Sequence, residues 1–354
     1  EEAIDRVRGA VSELSRRAHQ RRCAQESQRR DRPFKLSVDR VFTMRGFGTV
    51  VTGTSQTGVV SVGAAVQLLP GGATARVRGL QHHGQDATEG GPGTRLAVNL
   101  QGLDRDAVHR GEVLTAPQGV PVVSMLDARI RVRAHLREVP VTGARVLVHV
   151  GTAQVEGTLT WVGEPPLMPM EPAYVQLRLD QPLPVIPGEA FVLRGFAAAP
   201  DHGRTLGGGV VLTPALRRHR QSDHGRLEFL KDLTTAGTEG QIVALARRRG
   251  EAGVDREELP RLLALGMTDI QRVTDRLLES GALVFGAGLL LHESALTALA
   301  ERVEGLLSGF HQRRPAQAGM GAEELRTRVR ASLDPELFSS LLSWMSDRDR
   351  ARVA

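Results

Sequence analysis

The chain has 354 residues, of which 41% are hydrophobic and 24% charged, a composition typical of a folded protein with two or three domains. A single cysteine, Cys23, excludes an internal disulfide framework, so we predict a reducing compartment, the cytoplasm. No apolar run approaches the roughly 20 residues of a membrane span, so we predict no membrane partner. The net charge is +6, and 44 of the 46 basic residues are arginines.

The two lysines limit the nucleotide chemistry that this chain can perform. Lys35 lies in Phe-Lys-Leu and Lys231 in Leu-Lys-Asp. A P-loop requires Gly-Lys followed by Ser or Thr, because the lysine ammonium reaches the terminal phosphates of the nucleotide. We therefore predict that the chain does not hydrolyse a nucleotide by itself, and we assign it no catalytic residue and no cofactor.

Residues 1–33 predict a helix that belongs to a neighbouring domain, followed by a basic linker. The apolar residues of its first half share one helical face: Ile4, Val7, Val11 and Leu14. Residues 15–32 are almost entirely polar and hold most of the arginines of this segment, which indicates a solvated extension. Because a helix does not bury an apolar face alone, we interpret the segment as the terminal helix of a domain that is otherwise missing.

Residues 34–118 and 119–214 each predict a β-barrel. Short runs in which apolar and polar residues alternate recur at a spacing of about 8–12 residues, separated by clusters of Gly, Pro and Ser. The alternation places Phe34, Leu36 and Val38 on one face of the first strand. We therefore expect two closed sheets with aliphatic cores, one after the other along the chain.

Arg40 breaks the alternation of the first strand. It has the same parity as Val38, so it either faces the core or lies on a β-bulge. An arginine is almost never buried without a partner, and two interpretations remain open. One is a salt bridge with Asp39 or another carboxylate at the rim of the barrel. The other is a site for an anionic group, with Arg95 from a later strand as the second cation.

The adjacent histidines His82 and His83 follow a predicted strand and precede Gly84. No Cys, Asp or Glu lies at ligand spacing from them, so we predict no metal site. Exposure in a loop is one interpretation of this pair, and contact of His83 with a bound ligand is the other.

Arginines also recur at strand spacing at the start of the second predicted barrel: Arg129, Arg131, Arg133 and Arg137. Solvation of an exposed barrel face explains such a stripe. The alternative is a series of phosphate contacts to RNA, for which the guanidinium geometry is well suited. We keep Arg129, Arg131 and Arg133 as candidate RNA contacts.

The last part of the chain changes to helical periodicity. Three helices followed by a hairpin predict a winged helix over residues 215–292, and a second set of helices predicts a truncated one over 293–354. Thr268 is predicted to cap the third helix of the first set, and Asp334 that of the second. The predicted fold class is multidomain β + α, with two β-barrels followed by tandem winged helices.

A basic run lies at the end of one predicted helix: Arg247, Arg248 and Arg249. It is a candidate for RNA contact, and a solvated helix end is the alternative. Residues 215–354 carry 21 basic and 20 acidic residues, a net charge of +1. A spacing or packing role is therefore as compatible with this region as nucleic-acid binding.

Residues 34–118 resemble the second domain of the translational GTPases related to elongation factor Tu. The similarity is carried by Phe-Lys-Leu-Ser-Val-Asp-Arg-Val-Phe over 34–42, Gly-Phe-Gly-Thr-Val-Val-Thr-Gly-Thr over 46–54 and Arg-Gly-Glu-Val-Leu over 110–114. Together with Leu-Gln-His-His-Gly-Gln over 80–85 and the appended winged helices, it resembles one family in this group, the bacterial selenocysteine-specific elongation factors.

The resemblance implies the order GTPase domain, two β-barrels and four winged helices. The chain is then a fragment without the GTPase domain, which would bind GTP and magnesium, and without the last two winged helices. It implies binding of selenocysteinyl-tRNA and its delivery to the ribosome at recoded UGA codons, by a monomer. The missing winged helices would hold the hairpin of the selenoprotein mRNA.

The resemblance also implies a pocket for the aminoacyl group. In this family an acidic residue followed by a basic one on the first strand, and a later arginine, hold the selenocysteinyl group. The matching positions in this sequence are Asp39, Arg40 and Arg95. A selenol ionises below neutral pH, so a pocket with two guanidiniums favours it over a neutral hydroxyl or thiol.

Two other functions are compatible with the sequence. One is a segment of another Tu-like translation or initiation GTPase, which should lack both the three pocket residues and the winged-helix arm. The other is a DNA-binding regulator with a winged-helix reader, against which the evenly mixed charges of the predicted recognition helix argue.

Overall fold

The computed structural model describes residues 2–44, 48–134, 139–166, 168, 170–195, 205–215, 217–220, 223–263 and 265–351. It divides into two compact units. The barrel unit consists of Glu1–Leu230 and Pro260–Met267, and the helical unit of Lys231–Leu259 and Thr268–Ala354. Within the described part of the chain, no helix combines the length and apolarity needed to span a membrane.

The chain begins with one long helix, α1 (Glu2–Arg30), so the polar stretch predicted as a helix extension or a linker is helical to Arg30. Its apolar face is exposed to solvent in this chain, with exposed fractions of 58–65% for Ile4, Val7, Val11 and Leu14. The end of α1 is fixed to the first barrel. The Gly58 amide donates to the Arg29 carbonyl at 2.8 Å, and Arg30 pairs with Glu89 at 2.5 Å.

The first barrel confirms the predicted closed sheet. Its strands are β1 (Lys35–Met44), β2 (Gly48–Thr57), β3 (Val60–Ser61), β4 (Ala65–Leu69), β5 (Ala73–His82), β6 (Gln85–Ala87), β7 (Glu89–Gly90), β8 (Arg95–Gln101) and β9 (Val113–Thr115). The order β4-β9-β1-β2-β8-β5 closes through pairing of β4 with β5, and β6 extends β5 as a hairpin. The alternating aliphatic residues fill the interior, where Leu36, Val38, Val51, Val98 and Leu114 are fully buried.

The second barrel is also closed. Its strands are β10 (Val122–Val132), β11 (Arg145–Val150), β12 (Ala153–Val162), β13 (Pro172–Pro184), β14 (Ala190–Gly195) and β15 (Thr205–Pro214). They follow the order β10-β13-β12-β11-β14-β15 around the barrel. The glycines of β15 allow close approach to β10, because a Cβ on Gly207 or Gly209 would lie 2.3 or 2.0 Å from a carbonyl oxygen of that strand.

The two barrels pack against each other through the polar face of β1. Lys35 and Ser37, which alternate with the apolar core residues, are only 1% and 7% exposed. The Lys35 ammonium pairs with Glu189 and donates to the Pro184 carbonyl at 3.2 Å. The Thr152 hydroxyl donates to the Val38 carbonyl at 2.7 Å. The polar residues of this strand therefore lie in the interface between the two barrels and do not form a solvated face.

The segment that follows β15 is held on the second barrel by a buried ion pair. Arg226 donates to Asp127 at 2.6 Å, and these side chains are 5% and 2% exposed. Gln176 donates to the Arg217 carbonyl at 3.0 Å and accepts from the His219 amide at 2.7 Å. The first turns of α2 (Gly225–Thr235) therefore belong to the barrel unit, and the boundary between units falls after Leu230.

The predicted winged-helix elements follow. Their bounds are α3 (Thr238–Arg249), β16 (Val254–Asp255), α4 (Leu259–Leu263), α5 (Met267–Glu279), β17 (Leu283–Gly286) and β18 (Leu289–His292), then α6 (Glu293–Arg313), α7 (Ala322–Val329) and α8 (Pro335–Ser346). The strands form a sheet in the order β16-β18-β17. Helices α6 and α8 pack against the β17–β18 hairpin. Leu291 of the hairpin lies in one apolar cluster with residues of these helices such as Leu296 and Leu341.

The predicted helix caps are partly confirmed. The Asp334 carboxylate accepts from the Leu337 amide at 3.0 Å, and Pro335 begins α8. The Thr268 cap is wrong: α5 already begins at Met267, so Thr268 lies in its first turn. The cap of α6 is His292, whose ring nitrogen accepts from the Ser294 amide at 3.2 Å.

Candidate functional site

A β-bulge in β1 decides where Arg40 points. Val38 is paired with Gly53 and Arg40 with Thr52, so Asp39 is the extra residue between them. The bulge restores the alternation one residue later and places Arg40 on the outer face of the first barrel, where it is exposed. Of the two placements that the sequence left open, the bulge is the one observed.

Three side chains from three neighbouring strands meet beside this bulge. Arg95 on β8 binds Asp39 on β1 with one edge of its guanidinium, Nε to Oδ2 at 3.1 Å and Nη2 to Oδ1 at 3.0 Å. Thr52 on β2 donates its hydroxyl to Asp39 Oδ1 at 2.6 Å and accepts from Arg95 Nη2 at 3.3 Å. The structure therefore brings Asp39 and Arg95 together and adds Thr52, which sequence reasoning missed.

The electrostatics of this cluster keep the carboxylate ionised. Burial by itself raises the pKa of the Asp39 carboxyl, but the hydrogen bonds from Arg95 and Thr52 and the charges of Arg95 and Arg40 outweigh it. The pKa of Asp39 therefore lies below its usual value, and the hydrogen bonds to Asp39 and its negative charge raise the pKa of Arg95. The side chains of Asp39 and Arg95 are 26% and 53% exposed, so solvent screens part of this interaction.

The net positive charge of this cluster comes from Arg40, because the Asp39–Arg95 ion pair is neutral. Among the described residues its side chain has no hydrogen bond or ion pair, while Asp39 neutralises Arg95. The cluster of two guanidiniums and one carboxylate therefore has a net positive charge at an accessible surface. Such a site favours a small anion.

His83 lies at the tip of the hairpin between β5 and β6. His82 pairs with Gln85, so His83 and Gly84 form a two-residue turn in which φ is 52° and 77°. Left-handed backbone at both positions is typical of a type I′ turn and accounts for the glycine. His83 is exposed, and its ring contacts that of His82 at a centroid distance of 4.2 Å. Among the described residues no group of His, Cys, Asp or Glu is arranged to hold a metal ion.

The arginine stripe lies on the outer face of the second barrel. Arg129 and Arg131 are on β10, where they pair with Val210 and Gly208 of β15, and Arg133 follows directly. Arg131 and Arg133 are exposed and Arg129 is half-buried, and no ion pair involves them in the part of the chain that the structure describes. Arg137 lies outside the described residues.

The basic run at the end of α3 is largely neutralised within the helical unit. Arg247 pairs with Asp232, and Arg249 with Glu258 at 3.0 Å. The exposed arginines of α5 have carboxylate partners as well, with Arg276 pairing with Glu239 at 3.0 Å. Sequence alone does not reveal these pairs, because most of them join residues that are far apart along the chain.

Proteins of known sequence are similar to this chain over both of its units. A selenocysteine-specific elongation factor of Desulfomicrobium baculatum is 30% identical over 350 residues, 96% of this chain and 52% of that protein. The selenocysteine-specific elongation factor of Escherichia coli K12 is 26% identical over 97% of this chain and 51% of its own length. The chain thus spans about half the length of these curated relatives.

A family model matches part of the helical unit, and a solved structure matches the fold of nearly the whole chain. A family model described as "Elongation factor SelB, winged helix" matches residues 305–353. The crystal structure of a bacterial selenocysteine-specific elongation factor, EF-Sec, aligns with a TM-score of 0.69 over 95% of this chain and 51% of that chain, at 21% identity. The shared fold confirms the predicted multidomain arrangement of two β-barrels followed by winged-helix elements.

Proposed function

We infer that this chain, a homologue of the selenocysteine-specific elongation factors over 96% of its length, holds selenocysteinyl-tRNA for delivery to the ribosome at recoded UGA codons. The observation that carries this inference is the Asp39–Arg95 pair beside the exposed Arg40. GTP and magnesium would be bound by a GTPase domain, whose motifs this chain does not supply.

The chemistry of the aminoacyl group explains the selectivity. A selenol is ionised at neutral pH, whereas the hydroxyl of serine and most of the thiol of cysteine are not. Hydrogen bonds from a guanidinium to an anion contribute roughly 1.5–3 kcal/mol, more than bonds to a neutral group. Arg40 and the outer edge of Arg95 would therefore bind a selenolate more tightly than the side chains of seryl- or cysteinyl-tRNA.

Asp39 acts on Arg95 in this proposal. Both of its carboxylate oxygens accept hydrogen bonds from Arg95, and Thr52 adds another. The carboxylate is thus engaged in holding the guanidinium, and it is less available to the α-amino group of the aminoacyl ester. Its negative charge also disfavours a second anion at the same place, which directs the selenolate to Arg40 and to the edge of Arg95 that Asp39 does not occupy.

The tRNA body would be held by the barrel unit. The stripe of Arg129, Arg131 and Arg133 supports this, because these side chains present guanidiniums along one accessible strand. The helical unit would connect the barrels to the part of the whole factor that binds the messenger. Its further partner in the whole factor would be the selenoprotein mRNA hairpin, bound by winged helices beyond those in this chain.

The pocket is tested by protection of the aminoacyl ester in the full-length factor with GTP. We expect Arg40→Ala and Arg95→Ala each to abolish the preference for selenocysteinyl-tRNA over seryl-tRNA, since each removes a cation that contacts the selenolate. Arg328→Ala, on an exposed ion-paired arginine of α7, is the matched control and should leave the preference unchanged. Equal discrimination by wild type and both pocket variants would refute the assignment.

A further inference from the structure

Thr52 occupies the centre of the outer face on which the pocket lies. It is paired with Arg40 of β1 on one side and with Ala97 of β8 on the other, so its side chain stands between the strands that carry the other pocket residues. We propose that Thr52 is a positioning residue of the pocket, which orients Asp39 and Arg95 for the aminoacyl group. This proposal rests on the proposed function.

The hydrogen-bond roles of Thr52 are fixed by its chemistry. A hydroxyl has one proton to donate and two lone pairs that accept. The proton goes to Asp39 Oδ1 at 2.6 Å, because an ionised carboxylate only accepts. A lone pair then accepts from Arg95 Nη2 at 3.3 Å, because a guanidinium only donates. One hydroxyl thus bridges both members of the ion pair.

The bulge explains why such a bridge is needed. Asp39 is the unpaired extra residue of β1, so the strand ladder does not define the direction of its side chain as it does for Val38. Half-exposed ion pairs between flexible side chains are individually weak. A hydroxyl fixed on a central strand limits the positions of the carboxylate and hence of Arg95.

The bridge also decides which part of Arg95 meets a ligand. Nε and Nη2 are both engaged, with Asp39 and with Thr52, whereas Nη1 has no hydrogen-bond partner among the described residues. The anion would therefore approach Nη1 while Arg40 supplies the net charge. Loss of the bridge removes one hydrogen bond from Asp39 Oδ1 and one from Arg95 Nη2, so the direction of the ion pair, and with it that of Nη1, is less well defined.

The test compares Thr52→Val with Thr52→Ser in the ester-protection measurement on the full-length factor. Valine keeps the shape and the strand propensity but makes neither hydrogen bond, whereas serine makes both. We expect Thr52→Val to reduce the preference for selenocysteinyl- over seryl-tRNA about tenfold, and Thr52→Ser to stay within about twofold of wild type. Thr74→Val, the same change at an exposed strand position of β5, is the control.

A second measurement reads the Asp39 carboxyl directly. The pKa of Asp39, followed by carbon NMR of the carboxyl group in this chain, should rise in Thr52→Val and stay low in Thr52→Ser, since a hydrogen bond that favours the ionised form is lost only in the first. Arg40 and Arg95 are the charged groups that act on this carboxyl, and both are unchanged in these variants.

The outcomes separate the two proposals. Full discrimination in Arg40→Ala and Arg95→Ala overturns the proposed function itself. Loss of discrimination in those variants, with a wild-type preference and an unshifted Asp39 pKa in Thr52→Val, overturns the role of Thr52 alone. Equal losses in Thr52→Val and Thr52→Ser would also overturn it, because serine retains the bridge.

Discussion

At the residue scale, Lys35 shows how one buried charge joins the two barrels. It is one of two lysines in a chain with 44 arginines, and it is only 1% exposed. The compact ammonium fits between the Pro184 carbonyl and Glu189, where a planar guanidinium would need more space. Burial lowers the pKa of Lys35, and the charge and hydrogen bond of Glu189 offset part of this effect.

Glu189→Gln should destabilise the barrel unit by about 3 kcal/mol, because it leaves the Lys35 ammonium buried without a counter-ion. Lys35, Gln56 and the Ile186 amide all donate to the Glu189 carboxylate. The substitution also replaces one of its two acceptor oxygens by an NH₂ donor, so at least one of these hydrogen bonds is lost. Urea unfolding followed by Trp161 fluorescence in a Trp344→Phe background measures the effect. Glu156→Gln, on an exposed carboxylate of the same barrel, should change stability by less than about 0.5 kcal/mol.

At the element scale, periodicity in the sequence predicted the two barrels and most helices. Aliphatic alternation identifies strands wherever one face lines a core, as it does for Leu36 and Val38. It does not reveal what covers the other face, so the burial of Lys35 was not predicted. The bulge at Asp39 left two placements for Arg40, and Thr52 had no signal, because its role depends on pairing between distant strands.

Close approach of β10 and β15 is a second feature of the elements. A Cβ on Gly209 would lie 2.0 Å from the carbonyl oxygen of Arg129, and backbone at that position cannot move without distorting the ladder. Gly209→Ala should therefore destabilise the second barrel by about 1–3 kcal/mol, as overpacking does. Urea unfolding followed by Trp161 fluorescence in a Trp344→Phe background again reports it.

The matched substitution for this test is Gly305→Ala on α6, where a Cβ meets nothing within 4 Å. Alanine is favoured over glycine inside a helix by about 0.5–1 kcal/mol, so this variant should stabilise the helical unit. Unfolding followed by far-UV circular dichroism measures the stability of the helical unit. Destabilisation in both variants, or in neither, would mean that backbone proximity is not the reason for the glycine.

At the scale of the whole molecule, the arginines are used differently in the two units. In the helical unit most of the described arginines have carboxylate partners, as Glu251 does for both Arg302 and Arg330. In the barrel unit the stripe on β10 has no such partners among the described residues. Residues 215–354, which include the helical unit, carry a net charge of only +1, so the unpaired arginines of the barrel unit are the better candidates for phosphate contact.

This difference predicts the salt dependence of the proposed tRNA binding. Each phosphate contact releases counterions, so its loss reduces the slope of log affinity against log salt by about 1. Arg131→Ala in the full-length factor with GTP should weaken tRNA binding and lower that slope by this amount. Arg328→Ala, whose guanidinium pairs with Glu324 at 2.7 Å, should leave the slope unchanged. An unchanged slope in Arg131→Ala would mean that these arginines make no phosphate contact and only solvate the outer face of the barrel.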